Sequence, residues 1–126
     1  MVRTLWQRGI VVAVASFLGV GASLVTVQPA QAACSWTIST PVKSSGKAVT
    51  TGTTAGCSAS SGWETQLYVW NGVSWELLNY VSFSGNRSRS TSHTCSGTAS
   101  STFKGAIYNA ATGASKTSTT TLACGA

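Results

Sequence analysis

Across 126 residues, the carboxylate, imidazole and thiol side chains on which most catalytic constellations depend are few: Glu64, Glu76, His93 and the four cysteines Cys34, Cys57, Cys95 and Cys124. Aspartate does not occur. A Ser-His-Asp triad therefore lacks its third member, and a glutamate in that role would have to be one of two residues in one short region. A glycosidase pair needs two carboxyl groups about 5 to 9.5 Å apart across a cleft. If Asn71-Gly72 closes a hairpin between them, Glu64 falls at the far end of its strand and Glu76 near the turn, and both read as solvated charges. No phosphate loop or calcium loop is present, and a calcium site without aspartate would be unusual. The chain reads as non-catalytic, with no catalytic residue, metal or cofactor assigned.

The cysteines point elsewhere. Zinc is the rival explanation, but the spacing contains no C-x-x-C pair and only one histidine accompanies it; an even number of cysteines in a small exported chain favours two disulfides. Of the three connectivities, Cys34 to Cys57 and Cys95 to Cys124 is preferred, because each pair brackets a segment that reads as antiparallel strands with both ends at one pole. In the loop-entropy model each bridge contributes about 3 to 4 kcal/mol. A domain this small needs that help, since it buries only roughly 60 to 65% of its unfolded surface.

An oxidising compartment agrees with the start of the chain. Arg3 and Arg8 precede an apolar run from Ile10 to Val27, followed by Pro29 and Ala30-Gln31-Ala32. This order of basic, apolar and small-residue regions is that of a secretory signal peptide over 1–32. The competing reading, a retained membrane anchor, has no use for the A-x-A triplet. Residues 33–126 are then one secreted, extracellular domain, with no stable membrane insertion after signal removal and no amphipathic helix to supply one. That domain carries Lys43, Lys47, Arg87, Arg89, Lys104 and Lys116 against Glu64 and Glu76. The surplus is mild and dispersed, which argues against a nucleic-acid partner.

The elements that must position these residues are strands. Serine, threonine and glycine dominate, and no window has apolar residues at helical spacing. Short β-type runs recur instead: "SWTIST", "KAVTTGTTAGCS", "TQLYVW", "VSWELLNYVSF", "RSRSTSHTC", "STFKGAIYNA" and "SKTSTTTLAC". Their number and spacing predict an all-β, small antiparallel sandwich of about seven strands, immunoglobulin-like in its strand count. Function does not transfer with such an architecture. The almost wholly polar runs around Arg89 and Thr119 should lie at sheet edges. "TFKGAIY" and the hairpin flanking Asn71-Gly72 should be central.

Strict alternation puts Tyr68, Trp70, Trp75, Leu77, Val81 and Phe83 on one hairpin face and Leu67, Val69, Leu78 and Tyr80 on the other. A four-residue loop from Asn71 to Ser74 sets Trp70 directly opposite Trp75, whereas a two-residue loop sets Trp75 opposite Tyr68. The preferred reading makes the Trp70/Trp75 face the core, because a small domain needs its large aromatics inside. The rival reading makes Tyr68, Trp70 and Trp75 a binding platform, and Trp36 and Trp63 partly exposed. Arg87 and Arg89 alternate with Thr91 and His93 and are further ligand-binding candidates, as a cationic stripe. Asn86-Arg87-Ser88 matches the N-glycosylation pattern.

The expected function is a secreted binding module for an extracellular protein, one form of which is an inhibitor of an extracellular enzyme. The alternatives are a carbohydrate- or cell-wall-binding module using exposed tryptophans, and a structural cell-surface protein. A toxin or antimicrobial role stays open, as does the oligomeric state.

Overall fold

The computed structural model describes residues 33–126 throughout and, before them, two short antiparallel strands, β1 (Ser16–Leu18) and β2 (Gly21–Ser23). Apart from that ribbon, the segment 1–32 expected to be a signal peptide lies outside the described residues. The chain divides into two units, Met1–Ala32 and Ala33–Ala126, and the second holds both disulfides and the remaining strands. Its strands are β3 (Ser35–Ile38), β4 (Val42–Ser44), β5 (Lys47–Ala55), β6 (Gly62–Trp70), β7 (Trp75–Ser84), β8 (Ser88–Thr94), β9 (Ser100–Asn109) and β10 (Ser115–Ala123).

Two antiparallel sheets result. One has the order β10-β9-β6-β7; in the other, β5 pairs with β3 and β4 on one side and β8 on the other. β3 and β4 share one edge of β5 because Pro41 has no amide hydrogen to give the ladder. Ser39 repairs the break: its N–H donates to Thr51 O at 2.9 Å, and its Oγ accepts from Thr51 N at 2.8 Å. The first expected strand is β3, ending before Pro41, and β4 is an additional strand after it, so the unit has eight. Ser45 and Gly46, both at positive φ, make the tight turn from β4 to β5 that such a hairpin requires.

As the polar runs implied, β8 and β10 are edge strands, and β9 is central. The hairpin expectation holds for β6 only. β7 is an edge strand, and its mixed apolar character comes from a register shift along it.

The core lies between the sheets in two lobes. Leu67, Val69, Phe103, Ala48 and Cys124 form one; Trp63, Phe83, Ile107 and Cys57, flanked by Trp36 and Ile38, form the other. Full burial of a side chain such as Phe103, Leu67 or Ile107 stabilises by about 1.5 to 3 kcal/mol. Trp63 is buried, against the expectation of partial exposure, because β6 extends back to Gly62 and carries it under the sheet. Between the lobes the sheets come close. A Cβ on Gly105 would run into Thr50 Oγ1, and one on Gly52 into Thr65 Oγ1.

Disulfides Cys34–Cys57 and Cys95–Cys124 match the preferred pairing and sit at opposite poles. Cys57 is further held by Asn86, whose Oδ1 accepts from Cys57 N at 2.7 Å while its Nδ2 donates to Cys57 O at 2.8 Å. The nitrogen that N-glycosylation would use is thus a structural donor. At the other pole Ser96 N donates to Gly125 O at 2.7 Å and Cys95 N to Gly46 O at 2.9 Å. Side chains bridge the open flanks: Lys116 Nζ donates to Trp36 O at 2.9 Å, Lys43 Nζ to Ala123 O at 2.7 Å, and Asn79 Nδ2 to Ser92 O at 2.9 Å.

Candidate functional site

The β6–β7 hairpin closes through a four-residue loop. Asn71 N donates to Ser74 O at 3.1 Å, and Asn71 Oδ1 accepts from Val73 N and Ser74 N, both at 2.9 Å. Gly72 takes φ 96° at the tip, a conformation a side chain would oppose. Of the two loops considered, this is the one that sets Trp70 opposite Trp75. Their ring centroids are 5.3 Å apart, edge to face, a cross-strand pair worth roughly 0.2 to 1 kcal/mol.

Further along, the register slips. Leu67 pairs with Asn79 but Tyr68 pairs with Leu77, leaving Leu78 as an extra residue. This bulge overturns the strict alternation expected of the strand, because one unpaired residue reverses the facing of all that follow. Val81 and Phe83 face inward with Thr65 and Trp63. Trp75 and Leu77 share the opposite, outer face with Trp70 and Tyr68. The core face of β6 is Trp63, Thr65, Leu67 and Val69. The preferred assignment of Tyr68, Trp70 and Trp75 to the core is therefore replaced by an outer position.

The outer face of the β10-β9-β6-β7 sheet is consequently rich in large side chains at one corner. Trp70 is 42% exposed, Leu77 44%, Tyr80 54% and Val73, in the loop, 85%. Pairing aligns them in successive rows: Trp70 with Trp75, Tyr68 with Leu77, Gln66 with Tyr80. Such contiguous apolar exposure is the kind that marks interaction sites.

Lys104, on β9 opposite Tyr68, lays its Nζ 4.8 Å from the Tyr68 ring centroid and 4.6 Å from that of Trp75. One face of Trp75 is thereby covered, and Trp70 is the more open indole. Along β6, Tyr68 Oη donates to Gln66 Oε1 at 2.6 Å, Gln66 Nε2 donates to Glu64 Oε1 at 2.6 Å, and Ser82 Oγ donates to Glu64 Oε2 at 3.3 Å. Partial burial and the nearby Glu64 carboxylate, in that order, raise the Tyr68 phenol above its ordinary value of 10.0.

No protein-family model, curated protein or solved structure matches this chain.

The geometry thus brings together Tyr68, Trp70 and Trp75, and adds Lys104, Leu77 and Tyr80. Lys104 and Leu77 were missed as site residues because their membership depends on cross-strand register; the signal for Lys104 was its place on the outer alternation of "TFKGAIY". Arg87 and Arg89 are exposed but belong to the other sheet, at and just before the start of β8. Thr91, between them and His93 in the alternation, is buried against Thr50, so these four do not form one surface stripe. Glu64 and Glu76 lie on opposite faces of the hairpin, paired to Ser82 and Val69. Five residues of strand, about 17 Å, separate those positions along β6, beyond the reach of a glycosidase pair.

Proposed function

We propose that this chain is an exported, disulfide-stapled, immunoglobulin-like binding module that engages a protein partner through the outer face of the β10-β9-β6-β7 sheet. The observation that carries the reading is the exposed corner of Trp70, Leu77, Tyr80 and Val73. Tryptophan and tyrosine are the residues most enriched among interface anchors, and aliphatic neighbours such as Leu77 and Val73 suit a protein surface better than a sugar ring. The strand order, with β3, β4, β5 and β8 facing β10, β9, β6 and β7, supports the immunoglobulin-like description. Two disulfides support an oxidising compartment and, with the leader pattern, export.

A second reading is favoured by one feature. The hydrogen-bonded line Tyr68-Gln66-Glu64 runs beside Tyr80 on the same face, which would suit a polysaccharide chain. One experiment separates the two. The oxidised protein is immobilised and offered secreted proteins and insoluble wall polysaccharide in parallel, with Trp70→Ala and Gln66→Ala as controls. A stoichiometric complex with one secreted protein, lost in Trp70→Ala and retained in Gln66→Ala, supports the protein-binding reading. Retention on polysaccharide that needs Gln66 transfers the function to the glycan reading. Equal behaviour of folded Trp70→Ala and parent removes this face from the function.

A further inference from the structure

We infer that the occupant of this face is the same face of a second copy of the chain, related by a two-fold axis. The inference rests on the reading of the face as a protein-binding surface and names its partner.

The unit Ala33–Ala126 carries six basic residues and two acidic ones. The outer face of the β10-β9-β6-β7 sheet holds one of each sign, Lys104 and Glu64, and the whole positive surplus lies elsewhere. The face is neutral on a cationic domain, so two copies meeting here avoid the repulsion that other surfaces would impose. Within one copy the two charges do not satisfy each other. Glu64 and the partner of Lys104, Tyr68, are four residues apart on β6, which places Lys104 and Glu64 about 14 Å apart across the sheet. The Lys104 ammonium also leans away from Glu64, over Tyr68 and Trp75.

An isologous pairing answers this, because under two-fold symmetry a contact from one residue to another occurs twice. An in-plane axis midway between Lys104 and Glu64 sets Lys104 of each copy against Glu64 of the other. The same operation places Gln66 near its own counterpart and carries Tyr80 of each copy toward Leu77 of the other. With strands about 4.8 Å apart and about 3.4 Å of rise per residue, the two sheets then cross at roughly 40° from antiparallel, near the 30° class of packed sheets. The Tyr80 and Leu77 part of the apolar corner and the charge pair are thus served by one arrangement, while Trp70 and Trp75 reach past the partner's β7 edge. Edge pairing through β7 is a poorer route, since the Leu78 bulge interrupts the ladder a second strand would need.

Four strands and four outward rows cover roughly 500 Å² per copy, short of the roughly 800 Å² per partner typical of stable complexes. The dimer is therefore weak and forms only on concentration.

Sedimentation equilibrium of the full, disulfide-bonded protein from micromolar to millimolar concentration tests this. The expected result is a reversible monomer–dimer equilibrium, weakened at least tenfold by Glu64→Lys or Lys104→Glu alone and restored in the double variant. Thr37→Lys, on the outer face of the other sheet, should leave it unchanged. A parent that stays monomeric to millimolar concentration overturns the proposal, as does a double variant that fails to restore association, or a Thr37→Lys effect as large as that of Glu64→Lys. Monomer throughout, with capture of another protein still dependent on Trp70, sinks the second copy and keeps the face. Loss of both sinks the face as well.

Discussion

Trp63 and Trp70 lie seven residues apart on one strand and do opposite work, because an odd spacing sends them to opposite faces. Trp63 is buried in one cluster with Phe83, Ile107 and Cys57. Trp63→Ala should cost about 3 to 5 kcal/mol, whereas Trp70→Ala should cost no more than about 1 kcal/mol, the cross-strand pair with Trp75 being its main internal contact. Urea denaturation of the two variants checks this. Equal losses would mean that Trp70 belongs to the core. Tyr68 supplies a pH signature. Its phenol is raised because burial first and Glu64 second disfavour the phenolate, so the folded chain holds that proton more tightly than the unfolded one. The associated stability is intact below the ordinary tyrosine value near pH 10 and is lost as pH rises through the higher folded value. Alkaline titration followed by tyrosinate absorbance should show a late-ionising component that Tyr68→Phe removes.

At the scale of strands, the closest approach of the sheets lies at the waist between the two core lobes. Gly105→Ala places a methyl against Thr50 Oγ1 and Ile38, and overpacking of this kind costs typically about 1 to 3 kcal/mol. A thermal midpoint equal to that of the parent would contradict this close contact. The strands themselves were legible in the amino-acid order. Turn residues separated the runs, polar composition marked β8 and β10 as edges, and "TFKGAIY" announced a central strand. The disulfide pairing was legible too, since adjacent strands return each cysteine to its partner's pole. The faces of β7 were not legible. A bulge at Leu78 leaves no signature in composition, and reading alternation straight through it joined Trp75 and Leu77 to Val81 and Phe83, which the sheet separates. Alternation alone therefore groups Tyr68, Trp70 and Trp75 correctly but sets them on the inner face, whereas the sheet holds them on the outer one. Lys104 escaped as a site residue because its neighbours come from strands remote in the chain.

As a whole, the unit Ala33–Ala126 is a pair of sheets closed along both flanks by side chains and fastened at each pole by a disulfide. Those fastenings lie close to the ends of the unit: Cys34 follows Ala33, and Cys124 precedes Gly125 and Ala126. A pulling force applied at the two ends would pass from Cys34 directly to Cys57, cross the chain to Cys95, and leave through Cys124. The residues enclosed by each loop would carry no tension. Only the roughly 38 residues from Cys57 to Cys95 could be drawn out, about 13 nm of contour against roughly 31 nm for the reduced unit. Single-molecule extension should read these two lengths before and after a thiol reductant. The extensible part is β6, β7 and β8, which includes the hairpin that carries Trp70 and Leu77. For a protein tethered at its ends, the covalent frame would hold while the exposed aromatic corner is the part that yields to load.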